Sequence, residues 1–213
     1  MQAIRPFGVR PRVDGHLDYT NIDNSLEAVA SPLLDPALIN MIVNGSGTHS
    51  YHMVGEVNTP DQKLPFDLNV RIHSLTDSPT RIDGRLSGTF AGLPMDVGLD
   101  SSGLTFTENG HLGNNDIKLT SHYSILSGNV TSWGSVGKVW FNLTSFKDQD
   151  ESIVINGKAY DQTMNMQISH DLNVTGAMGK YNIWGGVQRV DNRNQVATTQ
   201  IGPVQISEKI TEV

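Results

Sequence analysis

Thr163 to Gly176 reads TMNMQISHDLNVTG, and in it Met164, Met166, Ile168, His170, Leu172 and Val174 alternate with Asn165, Gln167, Ser169, Asp171, Asn173 and Thr175. Successive side chains of a strand point to opposite sides, so this alternation is the mark of a strand with one dry and one wet face. The segment predicts one long strand, with His170 as the titratable group on its dry face.

The same period runs through most of the chain from Thr48 onward. Leu64, Phe66, Leu68, Val70 and Ile72 oppose Asp67, Asn69, Arg71 and His73, while Ile82, Leu86 and Phe90 oppose Arg81, Asp83, Arg85, Ser87 and Thr89. Met95, Val97 and Leu99 lead through Asp100-Ser101-Ser102-Gly103 to Leu104 and Phe106, a hairpin signalled by its turn residues. Further dry faces are formed by Ile117, Leu119, Tyr123 and Ile125, by Val139, Phe141 and Leu143, by Ile153, Ile155 and Ala159, and by Tyr181, Ile183 and Val187. These segments predict roughly ten antiparallel strands joined by short turns. A flat sheet of that size would leave long edges open to aggregation, which favours an all-β, closed or nearly closed antiparallel barrel over the alternative, a two-sheet sandwich. Glycines within strands, at Gly84, Gly88, Gly98, Gly185 and Gly186, suit the bends of such a barrel.

Composition agrees with this reading. The chain has 213 residues, 37% of them hydrophobic and 17% charged, with 21 glycines, which suits one all-β domain. An arm over residues 1–23, with Pro6 and Pro11, is expected to precede a single barrel domain over 24–213. That domain opens with a short helical segment over 24–44, where Asn24 or Ser25 caps one turn and Asp35-Pro36 starts another that Asn44-Gly45 ends. The start has no apolar leader region, so the expectation is a cytoplasmic protein if Met1 is the native start, and a periplasmic or secreted one if a leader has been removed.

Several function classes are disfavoured. A net charge of -7 without a Lys/Arg cluster argues against nucleic acid as a partner. With no cysteine, disulfides and thiolate chemistry are excluded. A membrane-spanning barrel needs an apolar outer face between aromatic girdles, and the aromatics here are scattered, so membrane insertion is not expected. No nucleotide, zinc-protease, hydrolase or calcium-loop motif is present, and no cofactor or metal is called for. His49 and His52 fall on opposite faces of a regular strand, and the acidic run Asp148, Asp150, Glu151 reads as a solvated turn.

The expected architecture, though not the family, is lipocalin-like: the glycine-x-tryptophan signature of lipocalins near the first strand is missing. A barrel with that many strands is expected to hold a cavity. Met53, Phe66, Met95, Met164 and Met166 are its expected walls, with His49, Tyr51, Ser121 and Tyr181 as polar groups at its mouth. His170 and Tyr123 are the candidate catalytic pair, a desolvated imidazole to move a proton and a phenol to steady charge on oxygen. Three functions follow: binding of a small apolar or amphipathic molecule; cofactor-independent isomerase, cyclase or lyase chemistry in the same cavity; or a structural, oligomer-forming role. For the last, Trp140, Phe146, Val154, Tyr160 and Trp184 make the nominally outer face apolar, and either the helical segment or a second subunit docking on the Trp140/Trp184 face is expected to cover it.

Overall fold

The computed structural model describes residues 47–74, 82–124, 126–150 and 152–213. The expected arm and helical segment lie outside these residues. Within them the chain is all β. The first seven strands are β1 (Gly47–Asn58), β2 (Lys63–Ser74), β3 (Ile82–Phe90), β4 (Leu93–Ser102), β5 (Thr105–Leu112), β6 (Asn115–Tyr123) and β7 (Val130–Val136). There follow β8 (Val139–Lys147), β9 (Ile153–Ala159), β10 (Gln162–Ile168), β11 (Asn173–Met178), β12 (Tyr181–Arg189), β13 (Asn194–Ile201) and β14 (Val204–Glu212). Each strand pairs antiparallel with the next, and β1 pairs with β14 from Tyr51↔Glu212 to Asn58↔Gln205, so the sheet closes into a barrel of fourteen strands.

Four strands more than expected have two sources. Three are β7, β13 and β14: β7 turns Ser132 and Gly134 inward and β13 turns Gln195 and Thr199 inward, which weakens their dry faces, while β14 alternates with Val204, Ile206 and Ile210 buried. The fourth comes from the segment whose alternation reads as one strand. β10 ends at Ile168, residues 169–172 turn, and β11 returns with Ile168 opposite Val174. Ser169 Oγ accepts the Asn173 N–H at 3.1 Å, and Leu172 turns the chain with a φ of 61°. Ile168 and Val174 are an even number of residues apart, so the inward parity of β10 carries through into β11. The alternation therefore survives the turn and conceals it.

The two ends of the barrel differ. At one end, here the turn end, two-residue hairpins join β3 to β4, β5 to β6, β7 to β8, β9 to β10, β11 to β12 and β13 to β14. Their first central residues, Ala91, Gly113, Gly137, Tyr160, Gly179 and Gly202, all have φ between 54° and 57°, as primed hairpin turns require. The inner face behind these turns is packed: Val57, Phe90, Leu112, Ile117, Val136, Val139 and Val204 are at most 2% exposed. Both termini of the described barrel and its longer connections lie at the opposite, loop end.

Fourteen strands enclose more width than one layer of side chains fills unless large residues lean over small ones. Inward glycines recur on every odd-numbered strand from β1 to β11, at Gly55, Gly88, Gly110, Gly134, Gly157 and Gly176, and large side chains flank them in register. Gly88 lies between Leu68 and Met95, Gly134 between Leu119 and Phe141, Gly157 between Leu143 and Met164, and Gly176 between Met166 and Ile183. At Gly134, with φ 154°, a Cβ would collide with the Lys118 carbonyl oxygen and press on Leu119. Glycine is needed there for both conformation and space.

The outer face is polar and cross-linked between strands. Arg85 donates from Nε and Nη2 to the two oxygens of Asp96 at 2.7 and 2.6 Å, His52 lies 2.8 Å from Asp67, and Asn165 donates to Asn156 at 2.6 Å. Charge-assisted hydrogen bonding from Arg85 holds the Asp96 carboxyl below the usual carboxylate range.

Gly134→Ala is expected to destabilise the barrel by on the order of 2–3 kcal/mol. Outward-facing Gly98, where a Cβ would stand 3.7 Å from the Asn109 carbonyl oxygen, should accept alanine with little change. Urea unfolding of the two variants measures the contrast.

Candidate functional site

Inward side chains are not equally covered along the barrel. Toward the loop end of β4 to β9, Leu99, Phe106, Glu108, Leu119, Ser121, Val130, Ser132, Leu143, Ser145 and Ile153 remain half-buried although all occupy inner-face positions. Seven strands round the ring, β12 to β14 present half-buried Val187, Thr199 and Glu208 on their inner face. On this part of the inner face the side chains are less covered than those behind the turns.

Glu108 is the centre of this wall. Alternation along β5 puts Phe106, Glu108, Gly110 and Leu112 on one face, and the register sets Glu108 between Leu99 of β4 and Leu119 of β6. Among the described residues no hydrogen bond or ion pair reaches its carboxyl. Protein surrounds the group closely, and this burial alone pushes its pKa up from 4.5 to about 7. On the same wall Ser121, one inner position further toward the loop end, shares a 2.8 Å hydrogen bond with Ser132 across the β6/β7 pair. Cross-strand diagonal neighbours of this kind have Cβ atoms about 7 Å apart, within reach of one small polar group held between them.

The residues expected to form the site are distributed differently. Met53, Phe66, Met95, Met164 and Met166 are buried at 2–5% exposure in the packed inner layer, and Phe66 stacks on Phe90 at 5.4 Å between ring centroids. They fill the barrel and do not face its half-exposed wall. His170 is not on the inner face: it lies exposed in the turn between β10 and β11. Tyr51 is half-buried on β1 opposite Glu212, and burial followed by that negative charge raises its phenol pKa. Tyr181 is half-buried behind a turn-end hairpin, with the Lys180 ammonium 5.1 Å from its ring centre. Of the expected polar groups, Ser121 is the one placed on the wall beside Glu108. His49 and Tyr123 pair with Ile72 and Val130 in the backbone ladders, and their side chains lie outside the described residues.

On the outer face Trp140 and Trp184 are exposed, and three strands separate them. Asn156, Lys158 and Asn165 occupy the outer face between, so the apolar surface is broken there. Trp133, exposed as well, is the diagonal neighbour of Trp140. Among the described residues no group of three or more His, Asp or Glu is placed to hold a metal ion. In the acidic turn, the Asp150 carboxylate accepts the Ser152 N–H at 3.1 Å.

Glu108 carries a readable signal. A carboxylate at a strict two-residue spacing between Phe106 and Leu112 falls on an apolar face, as the alternation also places His170. No protein-family model matches this chain, and no curated protein matches it significantly.

Because the folded protein holds the Glu108 proton more tightly than the unfolded chain, its contribution to stability is undiminished below the ordinary value of 4.5 and declines as pH rises toward about 7. The side chains facing it from β4 and β6, Leu99, Leu119 and Ser121, carry no charge that would offset this. Glu108→Gln is therefore expected to raise stability near pH 8 by on the order of 2 kcal/mol, a tenfold difference in proton affinity being worth about 1.4 kcal/mol, and to leave it unchanged near pH 4. Thermal unfolding at the two pH values measures this.

Proposed function

We propose that this protein is a binding barrel that holds a small amphipathic molecule against the half-exposed inner wall of β4 to β9. The observation that carries the reading is the difference in filling: the turn end is packed, while the loop-end wall combines apolar Leu99, Phe106, Leu119 and Leu143 with polar Glu108, Ser121 and Ser132. Mostly apolar walls with a few convergent polar groups are the usual make-up of a small-molecule site. The polar, charged outer face and apolar interior are the inverse of a membrane-spanning barrel and support a ligand held inside. The methionines contribute as packing of the buried inner layer.

A second reading, cofactor-independent proton transfer, is favoured by one feature. A carboxyl whose pKa is about 7 is matched to general acid–base work at neutral pH, and on this reading Glu108 takes the role that the alternation assigns to His170.

Titration with the neutral fluorescent probe N-phenyl-1-naphthylamine tests the binding reading. Saturable binding is expected in the wild type and in outer-face Trp184→Ala, with a loss of about tenfold or more in Ser132→Phe, which fills the wall. Absence of saturable binding in the wild type, or its loss in Trp184→Ala and not in Ser132→Phe, would refute it.

A further inference from the structure

We infer that the barrel selects cationic amphiphiles: an alkyl or aryl amine whose ammonium pairs with the Glu108 carboxylate while its apolar body lies against Leu99, Phe106, Leu119 and Leu143. This deepens the binding reading above and rests on it.

Two independent observations support the charge preference. The first is the geometry at Glu108, a closely surrounded, inward-pointing carboxyl with apolar neighbours on both flanking strands and no protein partner among the described residues. Such a group is costly to leave ionised and alone, and a ligand cation supplies what the protein withholds. The alternative, a neutral hydroxyl ligand, would stabilise the protonated acid and forgo the larger gain of a charge-assisted pair. The Ser121–Ser132 pair offers hydroxyl oxygens on the same wall as further acceptors for ammonium N–H groups.

The second is the sign of the interior as a whole. Among the described side chains, the inner face carries Glu108 on β5 and Glu208 on β14, whereas the basic residues at inner-face positions, Lys147 and Arg189, stand exposed at the loop-end tips of β8 and β12. His52, Arg71, His73, Arg85, His111, Lys118, His122, Lys158 and Lys209 all fall on the outer face by register. An anionic ligand would thus meet the Glu108 carboxylate with no cation beside it among the described residues, and repulsion in a low-dielectric space is larger than in water. Among the described side chains, the wall around Glu108 therefore favours a cation over an anion of the same shape.

Calorimetric titration with octylamine, 1-octanol and octanoate at about pH 8.5, above the titration of the carboxyl, separates charge from shape. In the wild type octylamine is expected to bind at least about tenfold more tightly than 1-octanol, and octanoate more weakly than either. Glu108→Gln should lose the amine advantage, bringing octylamine and 1-octanol to about the same affinity. Equal binding of amine and alcohol by the wild type, or an amine preference that persists in Glu108→Gln, would overturn the cation assignment and leave the binding reading standing. Failure of all three compounds to bind would overturn both. Should Glu108→Gln not fold, the carboxyl carbon of Glu108 in the wild type, followed by NMR, gives the same answer: its resonance moves on addition of octylamine and not of 1-octanol if the pairing occurs, and an unmoved resonance at saturating amine refutes it.

Discussion

The pairing of β1 with β14 is the constraint on which the rest depends. Every other ladder joins neighbours in sequence and can form locally, whereas this one brings Tyr51 to Asn58 against Gln205 to Glu212 from the two ends of the described barrel. Without it, β1 and β14 would each present a row of unpaired N–H and C=O groups, the edge that β proteins otherwise have to blunt or cover. With it, no strand is an edge, and the difference between inside and outside becomes absolute: one parity of residues faces an enclosed interior, the other faces water.

Closure at this strand number sets a packing problem, and the glycines are its solution. Gly88, Gly134, Gly157 and Gly176 each open space beside a strand, and a leucine, methionine, phenylalanine or isoleucine flanks each of them on both neighbouring strands. Methionine suits these places because an unbranched, flexible thioether adapts to an irregular gap. Toward the loop end of β4 to β9 the inner positions are taken by Leu99, Phe106, Glu108 and serines, and the layer there is only half-buried. The candidate site is this less covered part of the inner face.

Much of this is legible in the alternation. The all-β class, the antiparallel order and closure follow from the period of two and the short turns. The strand count does not, for a physical reason visible at Ile168 to Val174: a hairpin whose paired residues are an even number of positions apart keeps the inward parity through the turn, so TMNMQISHDLNVTG reads as one strand and folds as two. The same parity assigns His170 to the interior, while the turn puts it on the surface. Glu108 is open to the same reading on sounder ground, since TFTENGHL lies within one unbroken strand.

Sequence by itself determined the two-faced strands, the tight turns with their glycines, and the absence of thiol chemistry, because these depend on local backbone preferences and on residue identity alone. Tertiary structure decided which faces of which strands meet, and so which side chains are packed and which are merely enclosed. Met164 and Glu108 look alike in the alternation, both inward on a dry face; only the ring of neighbours makes the first part of the packed layer and sets the second among Leu99, Phe106 and Leu119, where desolvation raises its affinity for a proton. That distinction depends on volume summed over residues far apart in the chain, a quantity no local pattern contains.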